Sequence, residues 1–409
     1  MFSLSLATHP AGRRHPSRRF LDSLPVPGRR ASLIFGVVLV ATLLPTGTFA
    51  LDLGRTLQLH GYGGWSFGSS DGNEYLGATD DGEYDNLNFA LNLGAEVGSH
   101  YSFHAQVEWM MVGEEEEAEI DFVFAEYHHS DAFRFRIGKV KQPFGIYNEI
   151  FDVGTARPFL FLAQGIYGPN GNVAEGYLGA GATGSLELGA SWTLDYDVYT
   201  GELQLPFDFQ LGDVDGDDEE DEEGEEEEGE ETTENVRHVV GGRLQLVSPS
   251  GAWLFGVSGY HGEEEEGDNE ILQALGAHLS FETEHWTLHS EVTRFEEDDR
   301  DLVTDSFYVE LAYSWSERWQ IAVRWDESDI DSEVLEELPE SLTEHQDLAL
   351  AVSWWLHPQF VVRAELHQVE GNRFALPEGF EADDLDDFDD LGELETDSQV
   401  LLLGAQFSF

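Results

Sequence analysis

The chain has 409 residues, with 82 Asp and Glu against 20 Lys and Arg, a formal charge of −62 at pH 7, and no Cys. That balance excludes a nucleic-acid binder, because a phosphate backbone is held by clustered basic side chains and this chain carries only two Lys, Lys139 and Lys141. The lack of Cys excludes a disulfide framework, Cys-ligated metal and thiol catalysis.

Residues 1–50 have the form of an export signal. Arg13, Arg14, Arg18, Arg19, Arg29 and Arg30 precede an apolar run from Ala31 to Leu44, and Thr48-Phe49-Ala50 supplies the small residues of a peptidase cut after Ala50. The run is shorter than the roughly 20 residues that a spanning helix needs. No later segment is apolar enough to form one, so residues 51–409 must use their hydrophobic content in another way.

From Leu57 onward apolar residues recur with period 2, which predicts strands with two unlike faces. Leu87, Phe89, Leu91, Leu93, Ala95 and Val97 alternate with Asn88, Ala90, Asn92, Gly94 and Glu96. Phe307, Val309, Leu311, Tyr313 and Trp315 alternate with Tyr308, Glu310, Ala312 and Ser314. Sixteen such runs follow one another: 57–67, 87–98, 101–112, 120–129, 133–141, 175–186, 189–202, 236–247, 252–262, 271–283, 286–296, 305–315, 319–327, 346–356, 359–369 and 398–409. Most approach the roughly 9 to 11 residues that a tilted strand needs to cross a bilayer.

The connections alternate in length. Short turns such as Ser99-His100, Glu187-Leu188 and His357-Pro358 are interleaved with long loops such as 142–174, 203–235 and 370–397. Nine of the ten Trp fall near strand ends in the register of the apolar face, Trp355 being the exception. Aromatic rings at both interfaces and one short-turn end are features of membrane barrels. Lipid offers no hydrogen bonds to a sheet edge, so the strands must close on themselves. The expected fold is all-β: a 16-stranded antiparallel transmembrane β-barrel with short periplasmic turns, long acidic outer loops and a polar interior.

Two segments carry a family resemblance. The last strand, Leu401, Leu403, Ala405, Phe407 and Phe409 with Gln406 and Ser408 between, resembles the closing-strand signal of outer-membrane proteins. The stretch Arg136-Ile137-Gly138-Lys139-Val140-Lys141-Gln142-Pro143-Phe144-Gly145-Ile146-Tyr147-Asn148-Glu149 is similar to one in gammaproteobacterial porins distantly related to phosphate-selective porins. The resemblance to Gram-negative outer-membrane porins of the general and phosphate-selective type implies a passive channel for small hydrophilic solutes and ions in the bacterial outer membrane. It further implies a homotrimer among lipid and lipopolysaccharide, whose Phe409 is read by the barrel-assembly machinery. No cofactor is implied. Phosphate-selective porins use several channel lysines, which this chain lacks.

By the same resemblance, the third outer loop, 142–174, is expected to fold inward and narrow the lumen, and its Pro143, Phe144, Phe151, Phe159, Phe161, Ile166 and Tyr167 suit packing on a wall. Positive charge gathers beside it at Arg134, Arg136, Lys139, Lys141 and Arg157. Arg134, Arg136, Arg243, Arg324 and Arg363 share inward parity with Glu108 and Glu310. Opposed charges around a waist would set ion preference, so these ten residues are the expected pore constriction; the same charges could instead form wall ion pairs that only stiffen the barrel.

Asp213 to Glu234 holds 16 acids and no base, so loop 203–235 is expected to be solvated and disordered. No HExxH, GxSxG nucleophile elbow or P-loop is present, which argues against an enzyme. No metal site is expected, since no acidic run has the spaced ligands and turn glycine of a calcium loop. An alternative assignment is an exported all-β surface protein that binds calcium or a partner through its acidic loops.

Overall fold

The computed structural model describes residues 57–112, 115–168, 173–206, 233–264, 271–298, 302–332, 335, 339–377 and 394–409. The expected export signal and most of the acidic loop, 207–232, lie outside the described residues. Sixteen strands form the fold: β1 (Leu57–Ser70), β2 (Glu83–Val97), β3 (Tyr101–Val112), β4 (Glu115–Ser130), β5 (Phe133–Lys141), β6 (Gly176–Leu188), β7 (Trp192–Pro206) and β8 (Thr233–Val247), then β9 (Trp253–Glu264), β10 (Ile271–Glu282), β11 (Trp286–Glu297), β12 (Leu302–Ser316), β13 (Trp319–Asp331), β14 (Glu344–His357), β15 (Phe360–Glu370) and β16 (Asp397–Ser408).

Each strand pairs antiparallel with its sequence neighbours, and β1 pairs with β16 to close the barrel. At the seam, the Gly61 amide donates to the Phe409 carbonyl at 3.1 Å and the Phe409 amide donates back to Gly61 at 2.8 Å. Glycine is needed here because a Cβ at Gly63 would stand 2.9 Å from the Phe407 ring. The aromatic end of the last strand therefore lies directly over the first.

The period-2 pattern becomes two surfaces. Outward Leu275, Val240 and Ile120 remain 67%, 64% and 57% exposed, while inward Tyr308, Arg324 and Glu365 are buried. A soluble sandwich would pack such a face against a second sheet; a barrel in lipid leaves it open. This disfavours the soluble surface-protein assignment. On the outward face, Trp286 packs on Tyr313 with ring centroids 4.5 Å apart, and Trp319 stacks between Trp315 and Trp354 at 6.0 and 5.7 Å. These rings form a row at the short-turn end.

Several strands outrun the alternation at the opposite end. β1 continues to Ser70, β2 begins at Glu83, β4 begins at Glu115, and β7 and β8 run to Pro206 and from Thr233. On β1 and β2 the ladder of backbone hydrogen bonds continues into polar residues such as Ser69, Ser70, Glu83 and Asn86, where hydrophobic pattern alone ends the strand too early, while on β7 the alternation itself continues through buried Leu203 and Leu205.

Candidate functional site

After Lys141 the chain turns into the barrel. This loop contains two 3-10 turns, Asn148–Ile150 and Gly154–Ala156, and one helical turn, α1 (Gln164–Tyr167). Its apolar side chains settle on the inner wall. Phe159 lies on Ala312, Ala322, Ala349 and Ala351 of β12 to β14, where four small residues leave room for one ring. Phe144, Tyr147, Ile166 and Tyr167 join a larger buried cluster with Tyr199, Tyr260, Leu272 and Tyr308 from the wall.

A loop brought indoors carries backbone groups that no sheet satisfies, and each needs a partner. The wall supplies them. Arg243 donates to the Gly145 carbonyl at 3.2 Å, Arg324 to Phe161 at 2.8 Å and Arg363 to Gly154 at 2.9 Å. Arg363 also donates to the Arg157 carbonyl. In the other direction, the Leu160, Ile146 and Gly165 amides donate to Glu365, Glu291 and Asp326 at 2.6, 3.1 and 3.3 Å. Arginines thus meet carbonyls and acids meet amides.

Two tyrosines of the loop complete the seat. Tyr167 donates to Glu291 at 2.7 Å and Tyr147 donates to Glu310, which also lies 2.9 Å from His289 Nδ1. Burial pushes both phenols well above their ordinary range, and the carboxylates beside them push further in the same direction. Both hydroxyls therefore stay protonated and remain donors. Elsewhere, Gln142 donates to Tyr199 at 2.7 Å, while Asp152 accepts from Tyr62 on β1 at 3.2 Å and from Gln106 on β3 at 3.1 Å. The loop is tied to strands from β7 round to β3.

The ten residues expected at a constriction separate into three groups. Arg134 and Arg136 are inward and only partly buried. Arg136 pairs with Glu126 at 2.8 Å and lies 3.9 Å from Glu149 of the loop, with its guanidinium over the Phe124 ring. Arg134 makes no ion pair among the described residues. The second group belongs to the seat or its edge. Arg324 and Arg363 are 1% exposed, and Glu108, Glu310, Lys141 and Arg243 are also buried. Arg157 spends its guanidinium on the Phe151 and Leu160 carbonyls of its own loop, and burial lowers its proton affinity.

The structure departs from the expected constriction at two places. Arg324, Arg363 and Glu310 are covered by the loop and do not face solvent, because parity tells which way a side chain points and not what lies on it. Lys139 lies in the register of exposed Phe135 and Ile137 and donates to the Ile120 carbonyl at 3.0 Å, apart from the inward cluster.

Other participants were not singled out from the sequence. Glu149 pairs with both Arg243 and Arg136 from the loop. Glu291, Asp326 and Asp347 have inward parity and could have been found by the same alternation. Asp121 could not. The pairing of β3 with β4 skips it between Ile120 and Phe122, and this bulge turns it inward.

No protein-family model matches the chain, and no curated protein matches it. Solved structures do. The outer membrane channel DcaP of Acinetobacter baumannii aligns with a TM-score of 0.54 at 9% identity, covering 86% of this chain and 97% of that one. The anion-selective porin from Comamonas acidovorans aligns at 0.53 and 10% identity over 87% and 99%. OmpF of Salmonella typhi, solved in complex with daunomycin, aligns at 0.56 and 8% identity over 88% and 99%. At such identities the likeness is one of fold, and the chain has the closed 16-stranded fold of Gram-negative outer-membrane porins.

Proposed function

We propose that this protein is an outer-membrane porin, a passive channel for small hydrophilic solutes and ions with no catalytic step. The observation that carries the proposal is the loop after β5, seated on the inner wall by paired backbone and side-chain hydrogen bonds. A segment fixed there reduces the cross-section left to water. The outward apolar face and the fold shared with DcaP and OmpF support the same reading.

In this proposal the charges that meet a passing ion are Arg134 and Arg136 of β5 and Glu149 of the loop, together with Glu126. The buried Arg243, Arg324, Arg363 and Glu310 hold the loop in place, while Glu108 lies buried on the wall beside it. A homotrimer is proposed as well, supported by the trimer form solved for OmpT of Vibrio cholerae. Phe409 at the seam is proposed as the signal read by the barrel-assembly machinery, and outer-membrane lipid and lipopolysaccharide as the surroundings.

Purified protein inserted into planar bilayers is expected to give stepwise conductance. Its absence, in protein that shows heat-modifiable gel mobility and so is folded, would overturn the proposal.

A further inference from the structure

Below the start of the loop, Glu108 on β3, Asp121 on β4 and Asp152 of the loop bring carboxylate oxygens within 4.8 Å of one another. All three residues are buried. Lys141 enters the same group, with Nζ 2.7 Å from Asp121, 3.1 Å from Asp152 and 3.5 Å from Glu175. One ammonium thus faces four carboxylates, and buried charge of one sign is costly without a counter-charge.

A second observation points to what is missing. Glu108 is 3% exposed, yet among the described residues it neither accepts a hydrogen bond nor forms an ion pair. Wall acids under the loop differ: Glu291 accepts from Tyr167, Tyr308 and the Ile146 amide, and Glu365 from the Leu160 amide. Asp152 also has capacity to spare, since Tyr62, Gln106 and Lys141 all meet its Oδ2 and leave Oδ1 clear of these donors.

We infer that Glu108, Asp121 and Asp152 bind a hard divalent cation of the calcium class. The donors are all oxygen, with no imidazole or thiolate among them, which favours a hard ion over zinc or copper. Carboxylates drawn from two strands and a loop form an irregular cage. Calcium, with 6–8 oxygens at 2.3–2.6 Å, tolerates irregularity, whereas magnesium demands a near-ideal octahedron and keeps its waters. The bound ion joins the loop to β3 and β4 at the place where Lys141 alone leaves the acids under-neutralised.

The test is equilibrium dialysis of folded protein in detergent against radioactive calcium, after removal of metal by a chelator. It uses a background in which residues 213–232 are replaced by a neutral Gly/Ser linker, so that the acidic run ahead of β8 contributes nothing. A saturable class of one calcium per chain is expected, with a Kd at or below about 10⁻⁵ M. Glu108→Gln and Asp152→Asn should each weaken it at least about tenfold, and Glu317→Gln in a turn should leave it unchanged. If Glu108→Gln does not fold, Asp152→Asn decides alone, because it lies on the loop. No saturable class, or one that survives both substitutions, overturns the inference and leaves the carboxyls to share protons. The assay reads no conductance, so this failure is separate from failure of the channel proposal.

Discussion

The Arg363 guanidinium on β15 donates to the carbonyl of Gly154, a loop residue 209 positions earlier in the chain, at 2.9 Å. It also donates to Ser353 Oγ at 3.1 Å and lies 5.9 Å from the Trp355 ring centroid. The side chain is 1% exposed, so its charge is solvated by protein groups in place of water. Such an arginine fixes a loop more than it attracts an ion.

Replacing it tests that role. Arg363→Met keeps an unbranched apolar stem at this position and leaves the Gly154 and Arg157 carbonyls without their donor. Each orphaned group costs about 1–3 kcal/mol, so unfolding in guanidinium followed by tryptophan fluorescence should shift by at least about 2 kcal/mol. Single channels should also become noisier. An unchanged unfolding midpoint would show that the loop does not depend on this contact.

Selectivity should follow the partly exposed charges. Arg134→Ala combined with Arg136→Ala should move the permeability ratio toward cations by about twofold or more, and Glu149→Gln should move it toward anions. Reversal potentials under a salt gradient report both. If neither set moves the potential, the waist lies elsewhere.

Gly145 sits where the loop first meets the wall, with φ at +58°. An added Cβ would also run into the Glu291 carboxylate and the Tyr167 hydroxyl. Gly145→Ala should therefore cost about 1–3 kcal/mol through backbone strain and the displaced acid. Faster protease cleavage within residues 142–168, in barrels that keep their heat-modifiable gel shift, is the expected readout.

At the short-turn rim, Trp319 stacks on two neighbours, Trp315 and Trp354. Trp319→Ala should destabilise the barrel by about 1–3 kcal/mol, from two aromatic pairs of about 0.5–1.5 kcal/mol each. The temperature at which the folded gel band disappears should fall. A matching substitution at Trp355, which has inward parity, is expected to leave the girdle intact.

Much of the barrel is legible in the sequence because a strand in lipid has one face in oil and one in water, and Leu87 to Val97 displays that directly. The alternating loop lengths then order the strands. The site is less legible because inward parity does not reveal a covering layer: Arg134 and Arg363 look alike in sequence, yet only one is buried beneath loop carbonyls. Asp121 escapes because a bulge breaks the count, and Asp152 because a loop has no period to count. The alanines at 312, 322, 349 and 351 carried a signal: small residues at inward positions on adjacent strands mark a place where something large comes to rest.

The seat also has a history in time. The loop leaves β5 early in synthesis, but the side chains that grip it belong chiefly to β8 through β16, and the cylinder is sealed only when Phe409 reaches Gly61. The segment that occupies the middle of the finished protein must therefore wait, unpartnered, for the second half of the chain. Contacts so distant in sequence make for slow folding. Until then Phe144, Phe159 and Ile166, side chains that the finished barrel buries, have no wall to pack against.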